Sequence, residues 1–161
     1  MTAPQILSVT GIDKNIDFHH TASADLIRIC FALVKKNMKP LYDAAGGDWT
    51  WSDQRKLAEL RHEDMRYLVF ADSGFLAFRF EWEGAVAYIY EVHAAVPGRG
   101  VGSALMAALE RLCVEKTEIR KLMLTVLRGN SEALAFYRRR GWREDEDSPA
   151  DAAYVILCKL I

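Results

Sequence analysis

The amino-acid sequence predicts an α+β fold, a mixed and mostly antiparallel sheet of about seven strands flanked by about four helices. Three observations carry that prediction. Residues 85–112 run from an apolar strand through a loop holding Gly98, Gly100 and Gly102 into an amphipathic helix. Two apolar runs, 67–71 and 75–82, flank Asp72-Ser73-Gly74, a good hairpin turn. Along the whole chain, segments of strand and helix period follow in the order strand, two helices, three antiparallel strands, helix, strand, helix, two strands. With 161 residues and no internal repeat, low-complexity stretch or linker, residues 1–161 read as a single domain with one core.

Each element has a local cause. Residues 6–18 hold short apolar pieces around Gly11 and Asp13, read as a first strand or hairpin. Thr21 or Ser23 can cap a helix whose apolar positions are Leu26, Cys30, Leu33, Val34, Met38 and Leu41. Pro40 is expected to kink or end it. A loop with Gly46, Gly47, Trp49 and Trp51 follows, and Ser52-Asp53 starts a charged helix reaching about residue 62. After the hairpin, Gly84 turns into the strand 85–95. The helix beyond the glycine loop aligns Val101, Leu105, Ala108, Leu109 and Leu112 on one stripe. Residues 121–127 form a strand, Asn130 caps a helix over 131–139, and Gly141 ends it. Trp142 and residues 154–160 supply the last two strands, with an acidic loop between them.

Composition narrows the function. The chain is 51% hydrophobic and 27% charged, ordinary for a globular protein, and its net charge of −1 argues against binding nucleic acid through a basic surface. No apolar run reaches the roughly 18 residues of a membrane span, and the N-terminus lacks the pattern of a signal peptide. Cys30, Cys113 and Cys158 share no metal-ligand spacing and are expected to be buried, reduced thiols of a cytosolic or nuclear protein. No metal site is expected.

The glycine loop is the chemical centre. Without side chains at 98, 100 and 102, its N–H groups can crowd a ligand at the first turn of a helix, where unpaired N–H groups and the helix dipole favour an anion. A phosphate or pyrophosphate is the expected occupant. A Walker A loop would need a lysine between Gly102 and Ser103, and the dinucleotide fingerprint would need glycine at Leu105. What remains, Arg99-Gly100-Val101-Gly102-Ser103 between strand and helix, resembles the acetyl-CoA pyrophosphate loop of the GNAT acetyltransferase superfamily, whose signature is Q/R-x-x-G-x-G/A. Leu124-Thr125-Val126 followed by Asn130, Ala133, Phe136-Tyr137 and Gly141-Trp142 is similar to that superfamily's C-terminal motif. Outside these, Lys36-Asn37-Met38 with Tyr42, Trp49-x-Trp51-x-Asp53, Phe78-Arg79-Phe80, Tyr88-x-Tyr90-Glu91-Val92, Ser148-Pro149 and Tyr154-x-Ile156-Leu157 resemble the NatD group of N-terminal acetyltransferases.

The resemblance implies acetyl-CoA as acetyl donor and the N-terminal serine of histone H4 and histone 2A tails as acceptor, in the cytoplasm and nucleus, without an auxiliary subunit, nucleic-acid contact or membrane. It places the donor against Gly98, Arg99, Gly100, Val101, Gly102, Ser103 and Asn130, with backbone groups of Val92, His93 and Ala94 along the pantetheine arm. Glu91 interrupts an apolar central strand just before the loop, where an unpaired carboxylate is costly, and is the candidate general base. Strict alternation puts Glu91 with Ile89 and His93, and Tyr88 with Tyr90 on the opposite face; only a bulge would let Tyr90 and Glu91 share a substrate. Tyr137 resembles the tyrosine that protonates the departing thiolate, and at helical spacing from Ala133 it equally fits a core aromatic.

Acceptor recognition is expected from Tyr42, Trp49, Tyr88, Tyr90, Thr125 and Tyr154 as walls. Glu81, Glu83 and Asp147 are expected as carboxylates for an arginine two residues after the acetylated amine. Two other readings stay open at this stage. An acidic groove also suits a polyamine, an aminoglycoside or a lysine side chain, and a non-catalytic acyl-CoA-binding protein would share the loop.

Overall fold

The computed structural model describes residues 13–161. Of the first predicted strand, residues 6–12 lie outside the described residues; the observed strand is β1, Ile16–His19. Helices α1 (Ala24–Ala45) and α2 (Asp53–Leu60) follow, joined through a short 3-10 turn, Gly47–Trp49. Next come β2 (Arg66–Phe70), β3 (Gly74–Glu81), β4 (Val86–Ala94) and α3 (Val101–Lys116). The chain closes with β5 (Lys121–Leu127), α4 (Ser131–Arg139), β6 (Arg143–Glu144) and β7 (Tyr154–Leu160). The order of elements is the predicted one.

Pro40 does not end α1, which continues to Ala45. Lys36 and Pro40 are both exposed, so the carbonyl that proline leaves without a donor faces solvent and the helix tolerates it. Trp142, predicted as strand, instead precedes β6 and is buried against Tyr137, the two rings 5.5 Å apart. Cys30, Cys113 and Cys158 are buried and unpaired, as expected.

Among the described residues one seven-stranded sheet runs β1-β2-β3-β4-β5-β7-β6, and its single parallel pair is β4 with β5. Helices α3 and α4 cover one face. There Leu105, Leu109 and Leu112 pack on Leu76, Phe78, Ala87, Ile89, Leu122 and Leu124. Helices α1 and α2 cover the other, where Ile27, Cys30, Val34 and Leu60 meet Tyr67, Phe75 and Ala77. Each such side chain removed from water contributes about 1.5–3 kcal/mol before the entropy of ordering is subtracted. Among the described residues no helix is long and apolar enough to cross a membrane.

Two irregularities shape the middle of the sheet. Ala77 pairs with Glu91 but Phe78 pairs with Ile89, so Tyr90 is an extra residue on β4. This bulge overturns strict alternation. Ile89 stays under α3 while Tyr90 joins the α1/α2 cluster, and Glu91 and His93 reach α2 and α1. Tyr88, Tyr90, Glu91 and His93 therefore share one face. Second, the β4–β5 ladder stops at the Ile89–Leu124 pair although both strands continue. Among the described residues, the edge of β4 from Tyr90 onward has no partner strand on that side.

Candidate active site

A cleft of about 1070 Å³ opens where β4 and β5 separate, walled by α1, α2, the glycine loop and α4. At one end lie Gly98, Arg99, Gly100, Val101, Gly102 and Ser103. Gly98 and Gly100 have φ of 79° and 75°, the left-handed region, and a Cβ at either position would meet nothing within 4 Å. The loop thus presents bare backbone to open space. Helices α1, α2 and α4 are each capped by a side chain, Ser23, Ser52 and Asn130 respectively, accepting a backbone N–H. Helix α3 has no side-chain cap, so its first-turn N–H groups are left for an external acceptor.

Cations surround this end. Arg140 stacks 3.6 Å from the centre of the Phe136 ring and donates from Nε to Ser103 Oγ at 3.1 Å, with a second bond from Nη2 to the same oxygen. Arg99 and Arg139 also line the cleft. The sequence reading missed Arg139 and Arg140, at and just past the end of α4; the available signal was a run of basic residues on the turn that Gly141 closes. Val92, His93 and Ala94 line the wall along the open edge of β4, and Asn130 lies opposite with its Oδ1 committed to Ala133 N.

In the middle sits Glu91, 5% exposed. Its Oε1 accepts from Lys56 Nζ at 2.7 Å and its Oε2 from His93 Nε2 at 2.6 Å. Asn37 Nδ2 donates to His93 Nδ1 at 3.1 Å, leaving the histidine hydrogen on Nε2 for Glu91. Lys56 also donates to Glu59 Oε1 at 2.9 Å. Burial by itself pushes the Glu91 carboxyl up; the Lys56 ammonium and the hydrogen bond from His93 outweigh it, and the group lies below its ordinary value. Burial opposes the charge on Lys56, but Glu91 and Glu59 hold the ammonium above its ordinary value. Tyr137 is buried and its pKa is raised by that burial and by the charge of Glu91, so its hydroxyl keeps its proton.

The remaining end is aromatic. Tyr42, Trp49, Tyr88 and Tyr90 line it with Thr125. The rings of Tyr42 and Trp49 are 5.9 Å apart and those of Tyr88 and Tyr90 5.1 Å. Tyr88 hydrogen-bonds Thr125 across the two strands. Tyr154 stands behind this wall, its ring 5.5 Å from Trp49. Burial, then the charge of Glu91, pushes Tyr42 up to about 12.

The expected carboxylates are elsewhere. Glu81 ends β3 exposed, Glu83 lies in the exposed turn before β4, and Asp147 is exposed with its N–H donated to Asp145 Oδ1. None of the three is among the residues lining the cleft. From the acidic run it is Asp145 that is buried, salt-bridged to Lys121 at 2.8 Å. The acids of the cleft are Glu59, Glu91 and Glu132, the first two on Lys56. Among the described residues no group of three or more His, Cys, Asp or Glu is arranged to hold a metal ion.

The fold is similar to the PaiA N-acetyltransferase from Thermoplasma acidophilum, solved in complex with coenzyme A, with a TM-score of 0.68 and 17% identity over 91% of this chain and 99% of that one. It is similar as well to RimL, a ribosomal L7/L12 alpha-N-protein acetyltransferase in complex with coenzyme A, with a TM-score of 0.65 and 16% identity over 96% and 98%. In sequence, 70 residues are 34% identical to the uncharacterized Bacillus subtilis (strain 168) protein YxbD, a match spanning 38% of this chain and 43% of that protein. Residues 33–142, well over half the chain, match the profile of the Acetyltransferase (GNAT) family, and the chain belongs to that family.

Proposed function

We propose that the protein is an acetyl-CoA-dependent N-acetyltransferase whose acceptor is a primary amine, an N-terminal α-amino group of a peptide. The observation that carries this is the splay of β4 from β5, which joins an uncapped, glycine-lined helix start to a buried carboxylate and tyrosine through one cleft. The residues present fit the donor. The α3 N–H groups with Arg99 and Arg140 suit a pyrophosphate, and the unpaired edge of β4 at Val92–Ala94 suits an amide-bearing arm.

Acetyl-CoA, when bound, supplies an acetyl group on a thioester. The chain's own residues supply the rest. An α-amino group has a pKa of about 7.7–8.0, so part of it is neutral near pH 7 and needs only a route for its surplus proton. Glu91 gives that proton a fixed anionic acceptor through water, since each of its oxygens already holds one protein donor. Tyr137 holds its proton at Oη, available to the sulfur as the C–N bond forms and the C–S bond breaks. Tyr42, Trp49, Tyr88 and Tyr90 exclude water and orient the amine.

The narrower acceptor, the N-terminal serine of a histone H4 or histone 2A tail, is supported by the likeness to the NatD group, and RimL is likewise described as acting on a protein α-amino group. A polyamine or lysine side chain is the second reading: the carboxylates expected for the arginine of that tail, Glu81, Glu83 and Asp147, are not in the cleft lining, whereas Glu59 and Glu132 are. Thiol release from acetyl-CoA should be followed with a Ser-Gly-Arg-Gly-Lys peptide, the same peptide with its α-amine blocked, and spermidine. The proposal expects acetylation of the open peptide, located on the α-amine by mass spectrometry. Faster turnover of the blocked peptide or of spermidine would shift the acceptor assignment, and no thiol release with any amine would end the enzymatic reading.

A further inference from the structure

Helix α2 reads Asp-Gln-Arg-Lys-Leu-Ala-Glu-Leu, a charged surface pattern, yet Lys56 is 6% exposed. A buried ammonium needs acceptors for its hydrogens. Glu91 and Glu59 each take one, and the nitrogen lies 5.5 Å from the centre of the Tyr42 ring. Stability does not account for the choice of residue, because a buried ion pair is on average no better than a well-packed apolar pair of the same size. Leu60, on the same helix, shows that this layer accepts apolar side chains. The pair instead lies where the reaction needs a held anion. Glu91 follows the bulged Tyr90, just past the last β4–β5 pair, and its charge is felt by Tyr137.

We infer that Lys56 is a positioning residue for acetyl transfer, acting through Glu91, whose carboxylate it clamps at the point where β4 and β5 part. This rests on the acetyltransferase reading. With Lys56 on Oε1 and His93 on Oε2, neither oxygen can rotate away, each keeps a lone pair to accept with, and Glu91 lines the cleft. The charged and titratable groups facing Glu91 are Lys56 and Glu59 from α2, Tyr42 from α1, Tyr67 from β2, His93 from β4 and Tyr137 from α4, with Asn37 behind His93 and Arg79 acting on Glu59. Of these, Lys56 is the lysine in contact with the carboxylate. Remove it, and burial together with the charge on Glu59 drives Glu91 toward its neutral form, which accepts no proton.

The test uses the full chain with acetyl-CoA and the Ser-Gly-Arg-Gly-Lys peptide, measuring kcat and KM across pH for Lys56→Met, Lys56→Arg and Glu91→Gln. Lys56→Met is expected to lose about tenfold or more in kcat near pH 7, to move the acid limb of the profile up by about one unit, and to leave the KM for acetyl-CoA within about twofold. Lys56→Arg should recover part of both effects. A folded Lys56→Met with the wild-type acid limb overturns the inference. Should that variant not fold, Lys56→Met is placed on Glu91→Gln: a rate within about twofold of Glu91→Gln alone supports action through Glu91, and a further drop of about tenfold overturns it. An infrared difference spectrum against Glu91→Gln reads the carboxyl without activity. Followed across pH, the carboxylate signal of Glu91 should appear at higher pH in Lys56→Met than in wild type; the same midpoint in both overturns the clamp. If wild type releases no thiol, the acetyltransferase reading fails, and the infrared result decides the clamp by itself.

Discussion

Gly74 opens β3 opposite Ala94, and it is where a single methyl group should do most harm. A Cβ there would stand 2.3 Å from the His93 carbonyl oxygen, 2.8 Å from Val101 Cγ1 and 3.2 Å from Ala94 Cα. Ordinary contacts of this kind begin near 3.4 Å, and the nearest atom is backbone that cannot rotate aside. Gly74→Ala must therefore part the ends of β3 and β4 or push α3 outward. Overpacking costs about 1–3 kcal/mol. Separation also endangers the bond from Ala95 N to Ser73 O, 2.8 Å long, worth about 1 kcal/mol. Near the upper end of that range, about 3–4 kcal/mol, a chain of this size should melt roughly 10 °C lower. Differential scanning calorimetry measures it directly. Gly84→Ala is the control, because its Cβ would find only Val86 Cγ2 at 3.7 Å and should shift the midpoint little. A Gly74→Ala midpoint within about 3 °C of wild type would refute the packing argument.

Other positions give sharper readouts of function. Arg140→Ala removes a charged donor beside the glycine loop, and titration calorimetry should show acetyl-CoA binding weakened about 10- to 100-fold, the worth of a charge-assisted hydrogen bond. Gly100→Val forces a β-branched residue to a φ of 75°, so the donor affinity should fall while circular dichroism stays native; an unchanged affinity would remove the loop from the binding site. Asp145 has its pKa lowered from 3.8 to about 2 by the hydrogen bond from Lys121 and then by that from Asp147 N. A depressed carboxylate stabilises the fold above its unfolded value and loses that contribution as pH falls through its folded value. Asp145→Asn should therefore cost about 2 kcal/mol at pH 7, a gap that closes between about pH 4 and pH 2 in denaturant titrations.

What the sequence revealed, and what it withheld, follow from the range of the forces involved. Element order was legible because helix period, hairpin turns and caps are local; Ser23, Ser52 and Asn130 each cap the helix they precede. The glycine loop was legible for the same reason. The bulge at Tyr90 was not, since it is a mismatch between two strands and neither strand's sequence declares it. Lys56 was hidden by its neighbours: between Arg55 and Glu59 it looks like surface, and only the packing of α2 on β4 buries it. Glu81, Glu83 and Asp147 erred the other way, because a cluster of charge along the chain says nothing of where the turn that carries it will point.

The break in β4 divides one strand into two kinds of surface. Beyond Ile89 its edge offers only peptide groups, whose chemistry does not depend on which residues supply them. Its face offers Tyr88, Tyr90, Glu91 and His93, whose chemistry depends on nothing else. If the edge reads the donor and the face the acceptor, as proposed, the two can be revised separately. On the proposed function, substitutions on the face should change the choice of amine while the grip on the donor stays as it was. Because Tyr90 is the extra residue, deleting it would close the ladder with Glu91 opposite Ala77 and Ile89 opposite Phe78, leaving Glu91 and His93 on the face they already hold and taking one ring from the aromatic wall.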